Sequence, residues 1–397
     1  MNNEGGEPRK RSCEYGPEEG RKAATHGVFI FMSNKIKVTF DEVFSMESML
    51  EALKNASKGR RYDPEVLRWN LDAYRKLKEL QEEIYSGKYT VDQYHIFYIR
   101  EPKKRMIMSI AFKHRIVQWC IYQKIHPLLV KGYIDDTYGC IPGRGAQKAI
   151  KRVRYWIDGA EQKNQKLYYL KFDISKYFYR VDHDILESLL RKKIEDQRLC
   201  DLMAGIIHCE HTPFGLPPGK GPGEVPMEDR LYDVGMPIGN LMSQIFANFY
   251  LNELDQFCKR TLRIHEYIRY MDDGLALSES KEELQRWESE IRSFLKEELH
   301  LDLNKKTCIR PVSQGIEFIG YRIWPGYTTV RKSSSKHMKR YLVKIESDYR
   351  NGDVTIEEAR EVYMCYKAIL EQCDCKQLED KILGGFVLTK APKEEAA

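Results

Sequence analysis

Residues 268–277 read Ile-Arg-Tyr-Met-Asp-Asp-Gly-Leu-Ala-Leu, two apolar, strand-like runs separated by a pair of acids and a glycine. Asp-Gly between such runs is a strong signal for a tight β-hairpin, because the turn needs residues that tolerate positive φ. The chain must therefore reverse direction here with carboxylates at the tip. A plain surface turn accounts for Asp273 and Gly274 but gives Asp272 no task. If both acids instead face divalent metal ions, a third carboxylate has to arrive from elsewhere in the sequence.

Residues 167–174, Leu-Tyr-Tyr-Leu-Lys-Phe-Asp-Ile, supply one. Their period of two predicts a strand with Tyr168, Leu170, Phe172 and Ile174 on one face and Tyr169, Lys171 and Asp173 on the other. Asp173 thus stands on the polar side of a strand end. Three carboxylates so placed suit a pair of Mg²⁺ ions, which prefer carboxylate and phosphate oxygens in octahedral geometry and keep some of their water. Two such ions ~3.5–4 Å apart activate an attacking hydroxyl and stabilise the leaving oxygen of a phosphoryl displacement. Surface Asp pairs are common, so on these residues alone the hairpin reading stays open.

Around these segments, helix and strand patterns alternate. Residues 1–33 are rich in Gly and charge without periodicity, which predicts a disordered tail, and Met32 is a second candidate start. From Thr39 to Tyr85 the spacing is helical, as over residues 65–84, where Leu67, Leu71, Tyr74, Leu77, Leu80 and Ile84 recur at three and four. Residues 94–110 read as a β-ribbon with Lys103, Lys104 and Arg105 near its turn, and 112–130 as a helix that Pro127 interrupts. Asp182 is placed to cap a helix whose stripe is Ile185, Leu186, Leu189, Leu190 and Ile194. A Pro/Gly-rich loop over 212–226 and a helix over 240–262 precede the hairpin. An amphipathic helix over 281–299 and a short strand over 318–324, bent at Gly320, come after it, and the remainder is basic and helical. This order is α+β. At 397 residues, two or three subdomains are expected.

A net charge of +6 is modest for this length, so the position of the charge matters more than its sum. Positive residues gather at 103–105, 144–154 and 331–344, three runs that flank the acids and favour a polyanionic ligand. The cysteines are scattered, with only Cys373 and Cys375 close together and no zinc-ribbon or disulfide spacing, which predicts a reducing cytoplasm. The looser group Cys200, His208, Cys209 and His211 matches no zinc pattern. The longest apolar stretch near the start, residues 28–32, is shorter than a signal-peptide core of ~7–15 residues or a membrane span of ~20, so no membrane association is expected.

The segments 172–178 (Phe-Asp-Ile-Ser-Lys-Tyr-Phe), 235–244 (Gly-Met-Pro-Ile-Gly-Asn-Leu-Met-Ser-Gln) and 270–273 (Tyr-Met-Asp-Asp) resemble the palm motifs of reverse transcriptases, in family order. The likeness reaches back to Arg105 and residues 114–118 (His-Arg-Ile-Val-Gln). It runs on through 303–307 (Leu-Asn-Lys-Lys-Thr) and 318–321 (Phe-Ile-Gly-Tyr), covering about residues 60–345. It implies a right-hand polymerase. The tail spans 1–33, the N-terminal helices and fingers 34–166, and the palm 167–325, an antiparallel sheet backed by helices with a loop at 209–232; a short, basic helical thumb and C-terminal tail span 326–397. Retroviral and group II intron enzymes usually carry Gln-Gly before the helix of the second motif. Ile238-Gly239 followed by Ser243-Gln244 instead resembles the enzymes of diversity-generating retroelements, which copy a template-repeat RNA with errors at adenines. Residues 321–325 and 331–334 look like that subfamily too.

The resemblance implies a role for each residue. Asp173, Asp272 and Asp273 would hold two Mg²⁺ ions, or Mn²⁺ in their place, with the carbonyl of Ile174 as a further ligand. Lys104 and Arg105 would neutralise the incoming triphosphate, guanidinium being suited to bidentate phosphate contacts. Arg115, Gly239 and Gln244 would complete the nucleotide site. Phe178 matches the aromatic gate that excludes a ribose 2′-hydroxyl, and Lys306 the lysine that protonates departing pyrophosphate. Phe318, Ile319, Gly320 and Tyr321 match the turn that grips the primer strand. At Ile238, a glutamine would hydrogen-bond near nucleotide and template where isoleucine only packs. Such a contact is worth ~0.5–1.5 kcal/mol, a few-fold to tenfold in discrimination. The basic thumb would follow an A-like RNA–DNA hybrid, which is read by shape and phosphate contacts.

Some positions depart from the family pattern. Ile141 stands where relatives commonly carry arginine, with Arg144 available as a substitute; His114 replaces a frequent aspartate and Met242 a frequent threonine. The implied partners are template RNA, a DNA or RNA primer, deoxynucleoside triphosphates and a small basic helical accessory protein. Two other readings compete, a defence-associated or group II intron-like reverse transcriptase and a non-catalytic RNA-binding module. Against the module stands the lack of a complete Lys/Arg-Gly-Phe/Tyr-type strand motif, since Lys131-Gly132-Tyr133 matches only its first three positions and runs on into Ile-Asp-Asp.

Overall fold

A strand whose two faces are both apolar needs a core on each side, and the central sheet is built that way. The computed structural model of the protein describes residues 35–99 and 105–390. The N-terminal part holds helices α1 (Phe40–Val43), α2 (Met46–Ala56), α3 (Pro64–Leu71) and α4 (Ala73–Tyr85), the ribbon β1 (His95–Ile99) and β2 (Arg105–Ser109), and α5 (Phe112–Val130). The middle part is β3 (Thr137–Tyr138), α6 (Ala146–Gln162), β4 (Tyr168–Asp173), α7 (His183–Lys193), α8 (Gln197–Ile207), α9 (Leu241–Gln256), β5 (Tyr267–Tyr270), β6 (Asp273–Ser278), α10 (Lys281–Glu298) and β7 (Cys308–Pro311). The last part is β8 (Ile316–Phe318), β9 (Tyr321–Trp324), β10 (Tyr327–Val330), α11 (Lys332–Asn351), α12 (Ile356–Leu370) and α13 (Lys376–Leu383). This is the right-hand polymerase order of fingers, palm and helical thumb.

The palm sheet runs β3-β5-β6-β4-β7, antiparallel except for the β3–β5 pair. Leu170, Phe172, Ile174, Tyr267 and Ala276 enter the larger core, which α5 and α7 to α10 share. Tyr169, Ile268, Leu275 and Leu277 enter a second core under α6, the β8–β9 hairpin and the thumb helices. Burying each such side chain contributes ~1.5–3 kcal/mol, so the sheet is held from both sides. The polar face expected of β4 survives only near its end, where Lys171 and Asp173 are half-buried.

Several elements differ from expectation. The helical stretch over 65–84 is divided between α3 and α4, broken at Asp72, whose φ of −135° is not helical. The break resets the helical phase, so Leu67, Leu71 and Tyr74 are exposed while Val66, Leu77, Leu80 and Ile84 carry the burial. Pro127 does not interrupt α5, because the buried Ile125, His126 and Leu129 around it hold the helix through one missing hydrogen bond. Residues 318–324 are not a bent strand but the β8–β9 hairpin, and the helix over 240–262 ends in a π-helical turn over Phe257–Thr261. Asp182 caps α7 as expected, accepting from the Ile185 amide at 3.0 Å. The tail at 1–33 and both Lys103 and Lys104 lie outside the described residues.

Candidate active site

Strands β5 and β6 pair Tyr270 with Asp273, which leaves Met271 and Asp272 as the two turn residues. The turn is thus not made by Asp273-Gly274. Gly274 lies inside β6 opposite Phe172, and a Cβ there would overlap the Phe172 ring, so this glycine serves strand packing. Met271 takes the strain instead, with φ of 54°. Its amide donates to the Tyr138 carbonyl at 3.1 Å, and its carbonyl accepts from Arg269 Nη1 at 2.7 Å. Arg269 is fully buried, and its Nε and Nη2 each donate to Asp255 at 2.7 Å. Asp255 also accepts from Thr137 Oγ1 at 2.7 Å and Tyr267 Oη at 2.9 Å. A charged network therefore stands directly under the acidic turn.

Asp173 and Asp272 come together, and Asp273 stands beside Asp173 in the sheet. Asp173 and Asp273 are register partners across β4 and β6, and the Ile174 amide donates to the Asp272 carbonyl at 3.3 Å. The carboxyls of Asp173 and Asp272 lie within hydrogen-bonding reach of one another. Burial raises all three above the ordinary carboxylate range, and the neighbouring Asp173 charge helps push Asp272 up to about 6. Asn304 steadies Asp173 through Nδ2 to Oδ2 at 3.0 Å and through its amide to the Asp173 carbonyl at 2.7 Å. Lys171 and Lys306 lower the cost of charge on Asp173, and Lys171 and Arg331 do so for Asp273. Crowded, buried carboxyls are what a hard divalent cation relieves, so the donor chemistry fits one. Among the described residues no group of three or more His, Cys, Asp or Glu side chains is arranged to hold a metal ion; the close carboxyl pair is Asp173 and Asp272, with Asp273 beside Asp173 in register. The Cys200, His208, Cys209, His211 group forms no such site either, and His208 pairs with Glu187 at 2.7 Å.

A cavity of about 860 Å³ opens over Asp173 and Asp272 and is lined by Arg105, Ile174, Phe178 and Ile238. Residues 222–226 of the Pro/Gly-rich loop form one wall. That wall is pinned by Lys176, whose ammonium donates to the carbonyls of Gly219 and Lys220, and by Arg180 Nη2 to the Pro217 carbonyl at 2.9 Å. The Met108 amide donates to the Ile238 carbonyl at 2.9 Å, tying the fingers ribbon to the approach of α9. Gly239, at φ of 104°, packs so closely on β2 that a Cβ would meet Ile107 at 2.8 Å.

The remaining candidates do not line the cavity. Arg115 is half-buried near Arg60, its Nε without a partner among the described residues, and does not line the cavity. Gln244 is exposed in the first turn of α9, and Lys306 is exposed on the loop after Asn304. Arg144 donates from Nη1 to the Ile134 carbonyl at 2.8 Å and does not line the cavity. Ile319 and Gly320, at φ of 48° and 82°, form a two-residue turn between Phe318 and Tyr321, and the Gly320 carbonyl accepts from the Arg331 amide at 2.9 Å. Sequence patterns assign no role to Asn304, Lys176 or the Arg269–Asp255 pair; the signal for the last is an arginine inside an otherwise apolar strand.

The family model described as "Reverse transcriptase (RNA-dependent DNA polymerase)" matches residues 99–323, more than half of the chain. The chain belongs to this family. The reverse transcriptase is 26% identical over 283 residues to Protein YkfC of Escherichia coli, covering 62% of this chain and 71% of that one. It is 21% identical over 333 residues to the group II intron-encoded protein LtrA of Lactococcus lactis, covering 67% of this chain but only 53%, about half, of LtrA. Among solved structures, a telomerase from Candida albicans matches with a TM-score of 0.46 at 13% identity, over 79% of this chain and 59% of that one. The reverse transcriptase is thus an enzyme of the RNA-directed DNA polymerase class.

Proposed function

We propose that this reverse transcriptase extends a primer 3′-hydroxyl with deoxynucleotides on an RNA template, with errors concentrated opposite template adenines, as part of a diversity-generating retroelement. The observation that supports polymerisation is the single cavity that gathers Asp173, Asp272, Arg105 and Phe178. Asp173, Asp272 and the Ile174 carbonyl, with Asp273 beside them, would hold the divalent ions, Mg²⁺ or Mn²⁺. Bound there, such ions stabilise charge on the reacting phosphoryl oxygens. Arg105 draws in the triphosphate, and Phe178 packs against the sugar and leaves no room for a 2′-hydroxyl. Lys306 protonates the departing pyrophosphate. The turn at Phe318 to Tyr321 positions the primer, and α11, with its run of lysines and arginines, lies along the duplex.

The mutagenic part of the reading is supported by Ile238, an apolar side chain lining the cavity where a glutamine would supply a hydrogen bond. The similarity to LtrA supports a group II intron-like enzyme equally well. Template RNA, primer and deoxynucleoside triphosphates are the proposed ligands. A small basic helical protein is the proposed partner, and the cytoplasm the proposed compartment. No helix among the described residues is long and apolar enough to cross a membrane. The test is Mg²⁺-dependent primer extension on an adenine-containing RNA, with product sequencing, for wild type, Asp272→Asn and Ile238→Gln, each with and without the accessory protein. Extension by wild type with errors opposite adenine, none by Asp272→Asn and fewer errors by Ile238→Gln is the expected result. Accurate extension by wild type moves the enzyme to the intron-like class, and no extension under any condition overturns the polymerase reading.

A further inference from the structure

Two features stand apart from the catalytic cavity. The first is the basic run on α6, which buries Ala149, Ile150, Val153 and Ile157 and turns Lys148, Lys151, Arg152 and Tyr155 outward. Their spacing of three, four and seven places all four on one helix face. Tyr155 is 69% exposed, and the Arg152 guanidinium lies 5.7 Å from its ring and 4.9 Å from that of Trp156. The second feature is a cavity of about 880 Å³ that Arg152 also lines, together with Lys35, Lys37, Lys131 and Lys259. Of the two acids there, Asp136 is held by Arg152 at 2.9 and 3.3 Å, which leaves Asp135 facing the lysines. Among the described residues, Lys35, Lys37, Lys131, Lys148 and Lys151 have no carboxylate partner.

This cavity is separate from the catalytic one. Ile238, just before α9, lines the catalytic cavity, and Gln256, the last residue of α9, lines the basic one. Sixteen helical residues at 1.5 Å each set the two about 24 Å apart, beyond the reach of a nucleotide bound at Asp173. We propose that the α6 face and the basic cavity form a second nucleic-acid site, which holds an unpaired RNA strand away from the reacting end. The inference rests on the proposed function only for the identity of the polyanion as RNA. A strand fits better than a small anion because the ammonium groups sit on flexible stems from separate segments. The guanidinium fork of Arg152 is already committed to Asp136, which removes it from bidentate capture of a compact phosphate. Point charges spread along a track suit a phosphodiester backbone, and an exposed tyrosine among them offers a face on which a base stacks.

The test uses the full-length chain and a labelled, unstructured RNA of about 30 nucleotides without primer, with affinity measured by anisotropy across a salt titration. The triple variant Lys131→Glu, Lys148→Glu, Lys151→Glu is expected to weaken binding tenfold or more. Its slope of log affinity against log salt is expected to be shallower by about two, at ~0.7 for each phosphate no longer neutralised. Tyr155→Ala is expected to weaken binding a few-fold with the slope unchanged. Extension of a short template–primer hybrid by the triple variant is expected to match wild type, as are its circular dichroism and melting. Asp272→Asn is expected to bind the same RNA as wild type does, so loss of polymerisation and loss of this site are read separately. Unchanged affinity and slope in the triple variant overturn the proposal, as does a parallel loss of short-hybrid extension, which would make the stripe part of the catalytic cleft. Displacement of the RNA by micromolar inorganic triphosphate overturns it in favour of a small-anion pocket.

Discussion

Replacing Arg269 with methionine removes one member of a fully buried ion pair and, with it, the donor to the Met271 carbonyl. Breaking a buried pair costs ~3–5 kcal/mol, because the remaining charge is left uncompensated. Asp255 keeps two hydroxyl donors, from Thr137 and Tyr267, which places the expected loss at the lower end of that range. At a urea m-value of about 3 kcal/mol/M, the Arg269→Met midpoint should fall by about 1 M. The double variant Arg269→Met, Asp255→Asn removes the orphaned charge, keeps a carbonyl acceptor for one hydroxyl and offers the other an amide donor to accept from, so most of the stability should return. The turn should not recover, because Met271 at positive φ costs ~1–2 kcal/mol and the hydrogen bond that offset this is gone. The expected outcome is near-wild-type unfolding with primer-extension kcat still reduced at least tenfold. An unchanged midpoint in Arg269→Met refutes the stability argument, and a wild-type kcat in the double variant refutes the claim that Arg269 positions Asp272.

Other outcomes follow from single interactions. Gly274→Ala should destabilise the palm and depress extension, read by thermal melting and rate, because the added methyl overlaps the Phe172 ring under the acids. Lys176→Met should raise the KM for deoxynucleotides by roughly three- to tenfold with less effect on kcat, because it unpins one wall of the nucleotide cavity from the Gly219 and Lys220 carbonyls. Glu253, on α9, is pushed up to about 8 by burial, and its Oε2 has no partner among the described residues. Its folded form holds a proton that the unfolded chain releases near pH 4.5. Stability should therefore fall as pH rises from about 4.5 to 8, with a slope of up to ~1.4 kcal/mol per unit, and Glu253→Gln should flatten that slope in urea titrations.

Much of the palm is legible in the sequence because its signals are local. The alternation of β4, the cap at Asp182 and the acids at 173, 272 and 273 depend on neighbours a few residues away. Expectation and structure part where a distant neighbour decides the outcome. Asp-Gly points to a turn at 273–274, but Gly274 answers to Phe172 on another strand, and the turn sits at Met271, which is held from below by Arg269. The apolar pattern of 65–84 runs without interruption through Asp72, where the backbone leaves the helix, so the stripe and the buried face separate. Arg115 and Gln244 match the family motifs but do not line the cavity, a placement set by the packing of α5 and α9. The Asn304–Asp173 hydrogen bond joins residues 131 positions apart and has no period to betray it.

The hydrogen bond from Met108 to the Ile238 carbonyl makes one mechanical piece of two parts with different duties. Arg105, on the same short strand as Met108, and Ile238 line the same cavity over Asp173 and Asp272, and on the proposed function the first would meet the triphosphate and the second the base pair. Any displacement of that strand as it draws in a nucleotide is also a displacement of the Ile238 peptide. On the proposed function, the grip on the phosphates and the stringency of pairing would be geared together, so selection for a slacker copy would also alter how tightly every nucleotide, right or wrong, is held.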